Sequence, residues 1–149
     1  MDAADDKTGA DEPLTGTVLV IDDEKHSLDI LTRFLALADF STITAASGEE
    51  GLTLARSQPI DVIVLDVAMP GMDGLAVCEE LRQDERTSGI PVILLTGHDD
   101  TRTRAAGMRL GVMEYLTKPV SRPELLARVR AQLHARHLAR RIDETLAKL

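Results

Sequence analysis

The 149-residue chain has no tryptophan, a single tyrosine and two phenylalanines. With aromatics at 2%, the bases of a single-stranded nucleic acid would find little to stack on. One cysteine cannot close an internal disulfide and fits a reducing compartment. No apolar run approaches the roughly 18 residues that a membrane-spanning helix needs. Positive charge is in deficit, with 17 Lys and Arg against 25 Asp and Glu and a net charge of −8, which opposes a phosphate backbone. The opening MDAADDKTGADEPLTG is acidic and poor in apolar residues, unlike a secretory signal. These absences set the expectation of a cytoplasmic protein with no membrane span and no direct nucleic-acid partner. What is present, 44% hydrophobic and 28% charged residues, suits one compact domain with a buried core.

Charge is unevenly distributed along the chain. Residues 1–16 carry five acids and one lysine, and read as a disordered acidic leader. Residues 17–134 hold the domain, and residues 135–149 are expected to be a helical extension or linker. From position 121 onward seven bases face three acids, giving a surface of opposite sign to the rest.

Between these ends, short apolar runs alternate with helical patterns. TVLVID, VIVLD and PVILLTG are β-branched and continuously apolar, the signature of strands buried on both faces. TITAA (42–46) and EYLTK (114–118) are weaker strand candidates. Leu28, Leu31 and Leu35 share one face of a first helix, and Leu75, Cys78 and Leu81 stripe a third. Ser47 with Glu50 opens the second helix, and Ser121-Arg122-Pro123-Glu124 opens the last, both as capping boxes. A more polar fourth helix fits about 100–110. Five strand–helix alternations with short connections predict an α/β fold around a parallel sheet, with right-handed crossovers and helices on both faces.

In such folds ligands collect at the carboxyl ends of the strands. Those ends read Asp22-Asp23-Glu24, Asp66, Thr96-Gly97 and Lys118-Pro119. Carboxylates brought this close repel, and one must protonate unless a cation neutralises them. An all-oxygen donor set with few side chains suits Mg²⁺, which keeps several waters and accepts a phosphate oxygen. A lysine supplies a point charge to a phosphoryl group and a threonine hydroxyl a hydrogen bond. The set describes phosphoryl transfer onto a carboxylate by positioning and charge neutralisation. An acid closing a run of Val, Ile and Leu, as Asp66 does, is costly without a partner.

VLVIDDEK, VIVLDVAMPGMDG, LLTG and YLTKP closely resemble, in order, the motifs of the receiver domain of two-component response regulators, the chemotaxis regulator among them. The resemblance covers about residues 17–134. It implies a doubly wound, flavodoxin-like five-stranded parallel sheet in the order 2-1-3-4-5. It also implies that Asp66 is the phosphoacceptor, that Asp22 and Asp23 organise Mg²⁺, and that Asp66 and the backbone carbonyl of Ala68 complete its ligands. Asp23 then ligates the ion directly and Asp22 more often through water. Thr96 matches the switch hydroxyl, Tyr115 the aromatic rotamer switch and Lys118 the phosphoryl-pairing lysine. The implied donor is a sensor histidine kinase or phosphotransfer protein. The chain would then be a regulatory phosphoacceptor and not an enzyme, beyond its own Mg²⁺-dependent phosphotransfer and autodephosphorylation. Ala68 and His98 border the path of the hydrolytic water in this family, so the phosphoryl lifetime stays open.

Other readings weigh less. An aspartyl-phosphate phosphatase of the haloacid dehalogenase class uses similar parts but needs a second Asp two residues after the nucleophile, where Ala68 stands. No G-x-G-x-x-G follows the first strand, against a dinucleotide site. Gly71, Asp73 and Gly74 read as a structural turn, Cys78 as inert core, and His134 with His137 as exposed positions on a basic helix. Tyr115 has a plain reading too, as a partly buried core aromatic. The helix opening at Ser121 is expected to run past the domain, with Leu126, Val129 and Leu133 packed on it. A second seam of Ala135, Leu138, Ile142 and Leu149, weakened by Thr145, is spaced for a partner helix. A homodimer through that seam, or through the face of the fourth helix, fifth strand and fifth helix, is one expected output. A solvated tail is the other. The chain is either a single-domain regulator or the receiver piece of a longer protein.

Overall fold

The computed structural model of the chain describes residues 15–97, 100–112 and 114–149. The acidic leader up to position 14, and His98, lie outside the described residues. The elements are β1 (Thr17–Ile21), α1 (Lys25–Ala36), β2 (Ser41–Ala45), α2 (Gly48–Ser57) and β3 (Val62–Asp66). They continue with α3 (Gly74–Gln83), β4 (Val92–Thr96), α4 (Thr101–Arg109), β5 (Glu114–Thr117) and α5 (Arg122–Ala147). All strand pairs are parallel and the sheet order is β2-β1-β3-β4-β5, the doubly wound flavodoxin-like arrangement.

Successive strand residues point to opposite faces, and the three inner strands feed two cores. Leu19, Ile21, Ile63, Leu65, Val92 and Leu94 join Val77, Cys78 and Leu81 on the α2–α3 side. Val18, Val20, Val62, Val64, Ile93 and Leu95 join Leu31, Leu35, Leu125 and Val129 on the α1–α5 side. Cys78 is buried and unpaired; burial pushes its thiol up to about 12, so it stays protonated and inert. Among the described residues no helix is long and apolar enough to cross a membrane.

The helix starts behave as their sequences require. Ser47, Asp73, Asp100 and Ser121 each accept a hydrogen bond from the backbone N–H three residues on, satisfying donors the first turn would leave free. The edge strands differ slightly from expectation. β2 starts one residue earlier, at Ser41 opposite Thr17, and β5 ends at Thr117 with Lys118 beyond it. In α5 the buried row is Leu125, Val129 and Leu133, not Leu126, Val129 and Leu133. Leu125, Val129 and Leu133 lie four apart and form one straight ridge, whereas Leu126 sits a hundred degrees round and packs only at its margin.

α5 runs unbroken through position 134, and its 26 residues span about 39 Å at 1.5 Å per residue. Past Leu133 it still grips the domain. Arg136 Nη1 donates to the Ile60 and Asp61 carbonyls at 3.2 and 2.9 Å. Arg140 Nη2 lies 3.8 Å from Asp61 Oδ1, and the other Asp61 oxygen accepts the Thr17 N–H at 2.9 Å. The apolar residues of these last turns face away from the body, with Leu138, Ile142 and Leu146 44%, 59% and 61% exposed.

Candidate functional site

Asp22 follows β1, where its N–H donates to the Ala45 carbonyl of β2, so the strand pairing itself holds the residue. Its side chain is buried, and Oδ1 accepts the Glu24 N–H at 3.0 Å. Oδ2 is buried with no hydrogen-bond partner among the described residues, 4.0 Å from Lys118 Nζ. Burial pushes the Asp22 carboxyl up to about 6; the neighbouring Asp66 adds to the rise, while the Glu24 N–H and Lys118 pull against it. Asp66 ends β3, also buried, with Oδ2 2.9 Å from Lys118 Nζ and Oδ1 accepting the Ala68 N–H at 3.3 Å. Asp23 is exposed at the rim. Asp22, Asp23 and Asp66 each offer a carboxylate oxygen within 4.8 Å of the others.

Thr96 ends β4, one residue past Leu95, the β-bridge partner of Asp66. Its carbonyl accepts the Lys118 N–H at 2.9 Å, which places the lysine after β5 has ended. Its hydroxyl is buried and has no partner among the described residues. Tyr115 is half-buried elsewhere. Its ring packs on the α3–α4 side of the sheet, and its hydroxyl approaches the Val112 carbonyl at 2.7 Å and the Arg104 carbonyl at 3.1 Å. The structure therefore gathers Asp22, Asp23, Asp66 and Lys118, sets Thr96 on the adjacent strand, and keeps the Tyr115 hydroxyl on α4.

The turn read as structural also shapes the site. Asp73 caps α3, and the Gly74 N–H donates to the Val67 carbonyl. A Cβ on Gly74 would lie 2.7 Å from Val67 Cα and 2.8 Å from the Asp66 carbonyl oxygen. Only a bare backbone fits against the Asp66 main chain there, a dependence that spacing alone does not reveal. Arg104 was equally silent in the sequence; it donates to Thr117 Oγ1 at 2.5 Å, tying α4 to β5. Beside the rim, a cleft of about 410 Å³ lined by Ile30, Leu31, Pro119 and Val120 opens onto Asp22 and Lys118.

Three carboxylates share this rim with one ammonium, and one carboxylate oxygen is buried without a donor. That imbalance fits a divalent cation taken by oxygen ligands.

A 2-1-3-4-5 parallel sheet with an acidic, lysine-paired cluster at its carboxyl ends defines a flavodoxin-like α/β domain. The response regulator receiver domain family matches residues 18–130, and the chain belongs to that family. It is 41% identical over 132 residues to the probable transcriptional regulator ycf27 of Cyanidium caldarium, covering 89% of this chain and 49% of that protein. To the alkaline phosphatase synthesis transcriptional regulatory protein PhoP of Bacillus subtilis it is 39% identical over 122 residues, covering 82% and 50%. The chain thus spans about half the length of the curated relatives it matches. A putative response regulator from Chloroflexus aurantiacus superposes with a TM-score of 0.74 at 35% identity, covering 80% of this chain and 98% of that one. The protein is a receiver domain and hence a regulatory module; the phosphatase alternative, which lacked its second Asp at Ala68, is not favoured.

Proposed function

We propose that Asp66 accepts a phosphoryl group from the phosphohistidine of a sensor histidine kinase or phosphotransfer protein, in the cytoplasm, and that its modification remodels an interaction face. The observation that carries this reading is the buried Asp66 carboxylate, 2.9 Å from Lys118 and beside an Asp22 oxygen with no partner. Asp22, Asp23, Asp66 and the Ala68 carbonyl would hold Mg²⁺. When bound, the ion offsets the clustered negative charge and draws electron density from the phosphoryl oxygens. Asp66 supplies the attacking oxygen. Lys118 Nζ, already on Asp66, neutralises charge on the transferred group, and the unpartnered Thr96 hydroxyl is free to turn and donate to it. With Thr96 drawn in, Tyr115 turns into the space it leaves, which alters the α4–β5–α5 face. A bias of a few kcal/mol is enough to shift such a two-state element.

Two surfaces suit the output. The α4–β5–α5 face and the free end of α5, with Leu138 and Ile142 uncovered, are both open to a second copy of the chain. The relatives' names describe transcriptional regulators, which supports a DNA-binding effector as the element controlled. Intact-mass measurement after incubation with a small acyl phosphate, followed by borohydride trapping, tests the assignment. The label should appear only with Mg²⁺ and map to Asp66; equal labelling of Asp66→Asn would sink it. Sedimentation of the full chain against one ending at His134 tests the C-terminal surface. Monomers in every state would remove dimerisation from the proposal.

A further inference from the structure

Tyr115 is seated against a position of α4 that has no side chain. A Cβ on Gly107 would lie 2.9 Å from Tyr115 Oη, 3.2 Å from Cε1 of the same ring and 3.1 Å from Leu94 Cδ1. A real Cβ would force the hydroxyl oxygen to shift, and the two carbon contacts would each have to give by a few tenths of an ångström. Leu94 is fully buried in β4, whereas the end of the tyrosine ring is half-buried and can swing outward. The same glycine organises the end of α4, because its carbonyl accepts both the Leu110 and the Val112 N–H at 2.9 Å. Val112 in turn gives its own carbonyl to the Tyr115 hydroxyl. Gly107, Val112 and Tyr115 therefore form one continuous set of contacts from α4 to β5.

We propose that Gly107 is a positioning residue for Tyr115: the bare α4 backbone there is the seat that holds the ring against the domain, and one added methyl group would turn it out and uncouple the α4–β5–α5 face from Asp66. The coupling to Asp66 rests on the proposed function; the seating of the ring does not. Helix propensity sharpens the argument, since replacing glycine by alanine within a helix ordinarily stabilises it. Any loss at this position must come from the contact with the ring or with Leu94.

The chain carries one tyrosine and no tryptophan, so its intrinsic fluorescence reports on Tyr115 alone. Iodide quenching of the unmodified wild type and of Gly107→Ala should differ several-fold, with the variant more accessible at unchanged helix content. Equal quenching would overturn the proposal. Should Gly107→Ala fold poorly, the same change in a Tyr115→Ala background decides the matter, because removing the ring must turn its effect on the melting temperature from unfavourable to favourable. An equal loss in both backgrounds would place the clash on Leu94 and overturn the seat. Mg²⁺ and beryllofluoride should change quenching in the wild type and not in Gly107→Ala, while both proteins still take label at Asp66. A variant that responds like the wild type would overturn the coupling. A wild type that takes no label would fail the phosphoacceptor reading, while the quenching comparison still decides the seat.

Discussion

At the amino-terminal end of the sheet the Asp61 carboxylate accepts the Thr17 N–H and faces Arg140, and Arg136 covers the Ile60 and Asp61 carbonyls. At the carboxyl end, Asp22 Oδ2 and Thr96 Oγ1 are buried with no partner among the described residues, and of the three clustered carboxylates Lys118 lies against Asp66 and, farther off, Asp22. Both ends sit on the same inner strands, β1 and β3, so the difference comes from what surrounds each end and not from the strands. Leaving a buried polar atom unpaired costs about 1–3 kcal/mol. One end of the sheet thus has its polar groups satisfied, and the other leaves buried polar atoms unpaired. The same division runs along α5, whose first half is buried on the core while its last turns expose Leu138, Ile142 and Leu146.

The contrast can be broken most severely at Gly74. Its missing Cβ leaves room for backbone atoms of Asp66 and Val67, which cannot swing aside as a side chain can. Gly74→Ala should destabilise the protein by about 2–3 kcal/mol and displace Asp66. Urea unfolding and phosphoryl labelling should fall together; unchanged labelling would show that the loop accommodates a methyl group. At the opposite end, Arg136→Ala leaves two strand-start carbonyls without their charged donor and should cost about 2 kcal/mol. Labelling at Asp66 should survive it. Hydrogen exchange should then quicken in α5 after Leu133, and unchanged protection there would mean that Arg136 is not what holds the helix down.

A smaller effect sharpens the comparison by pH. Asp22 titrates at about 6 in the folded protein against 3.8 when unperturbed. Between those values the folded chain keeps a proton that the unfolded chain has released. Stability of the metal-free protein therefore falls as pH rises through this window, by at most roughly 3 kcal/mol at 1.36 kcal/mol per unit. The difference in unfolding free energy between wild type and Asp22→Asn isolates this group and should widen from pH 4 to pH 6, then level. Mg²⁺, which competes with the proton, should raise the melting temperature more at pH 7 than at pH 5. An equal increment at both would separate ion binding from Asp22.

How much could be read beforehand follows from where the information lies. VLVI, VIVLD and VILLT declared themselves as inner strands because both faces are buried, so nearly every residue had to be apolar. Asp66 is legible because an acid at the end of such a run is costly without a partner, Lys118 only from the YLTKP motif, and the structure pairs them. Leu125 and Leu126 both fit a helical stripe, and only the sheet beneath chooses Leu125 as the buried one. Arg136 on Ile60 and Gly107 under Tyr115 were not legible at all. The first joins residues 76 apart, and the second is a close approach that leaves no pattern in the local sequence.

The carboxylates at the two ends of the sheet, Asp22 buried and Asp61 half-buried, should have opposite effects on stability. Unfolding of wild type, Asp22→Asn and Asp61→Ala in EDTA at pH 7 measures it directly. Asp22→Asn should raise the unfolding free energy by about 1–3 kcal/mol, because it removes a buried charge beside Asp66 and keeps the acceptor for the Glu24 N–H. Asp61→Ala should lower it by about 1–2 kcal/mol, because the Thr17 N–H and Arg140 lose their acceptor. A loss of stability in both variants would contradict the claim.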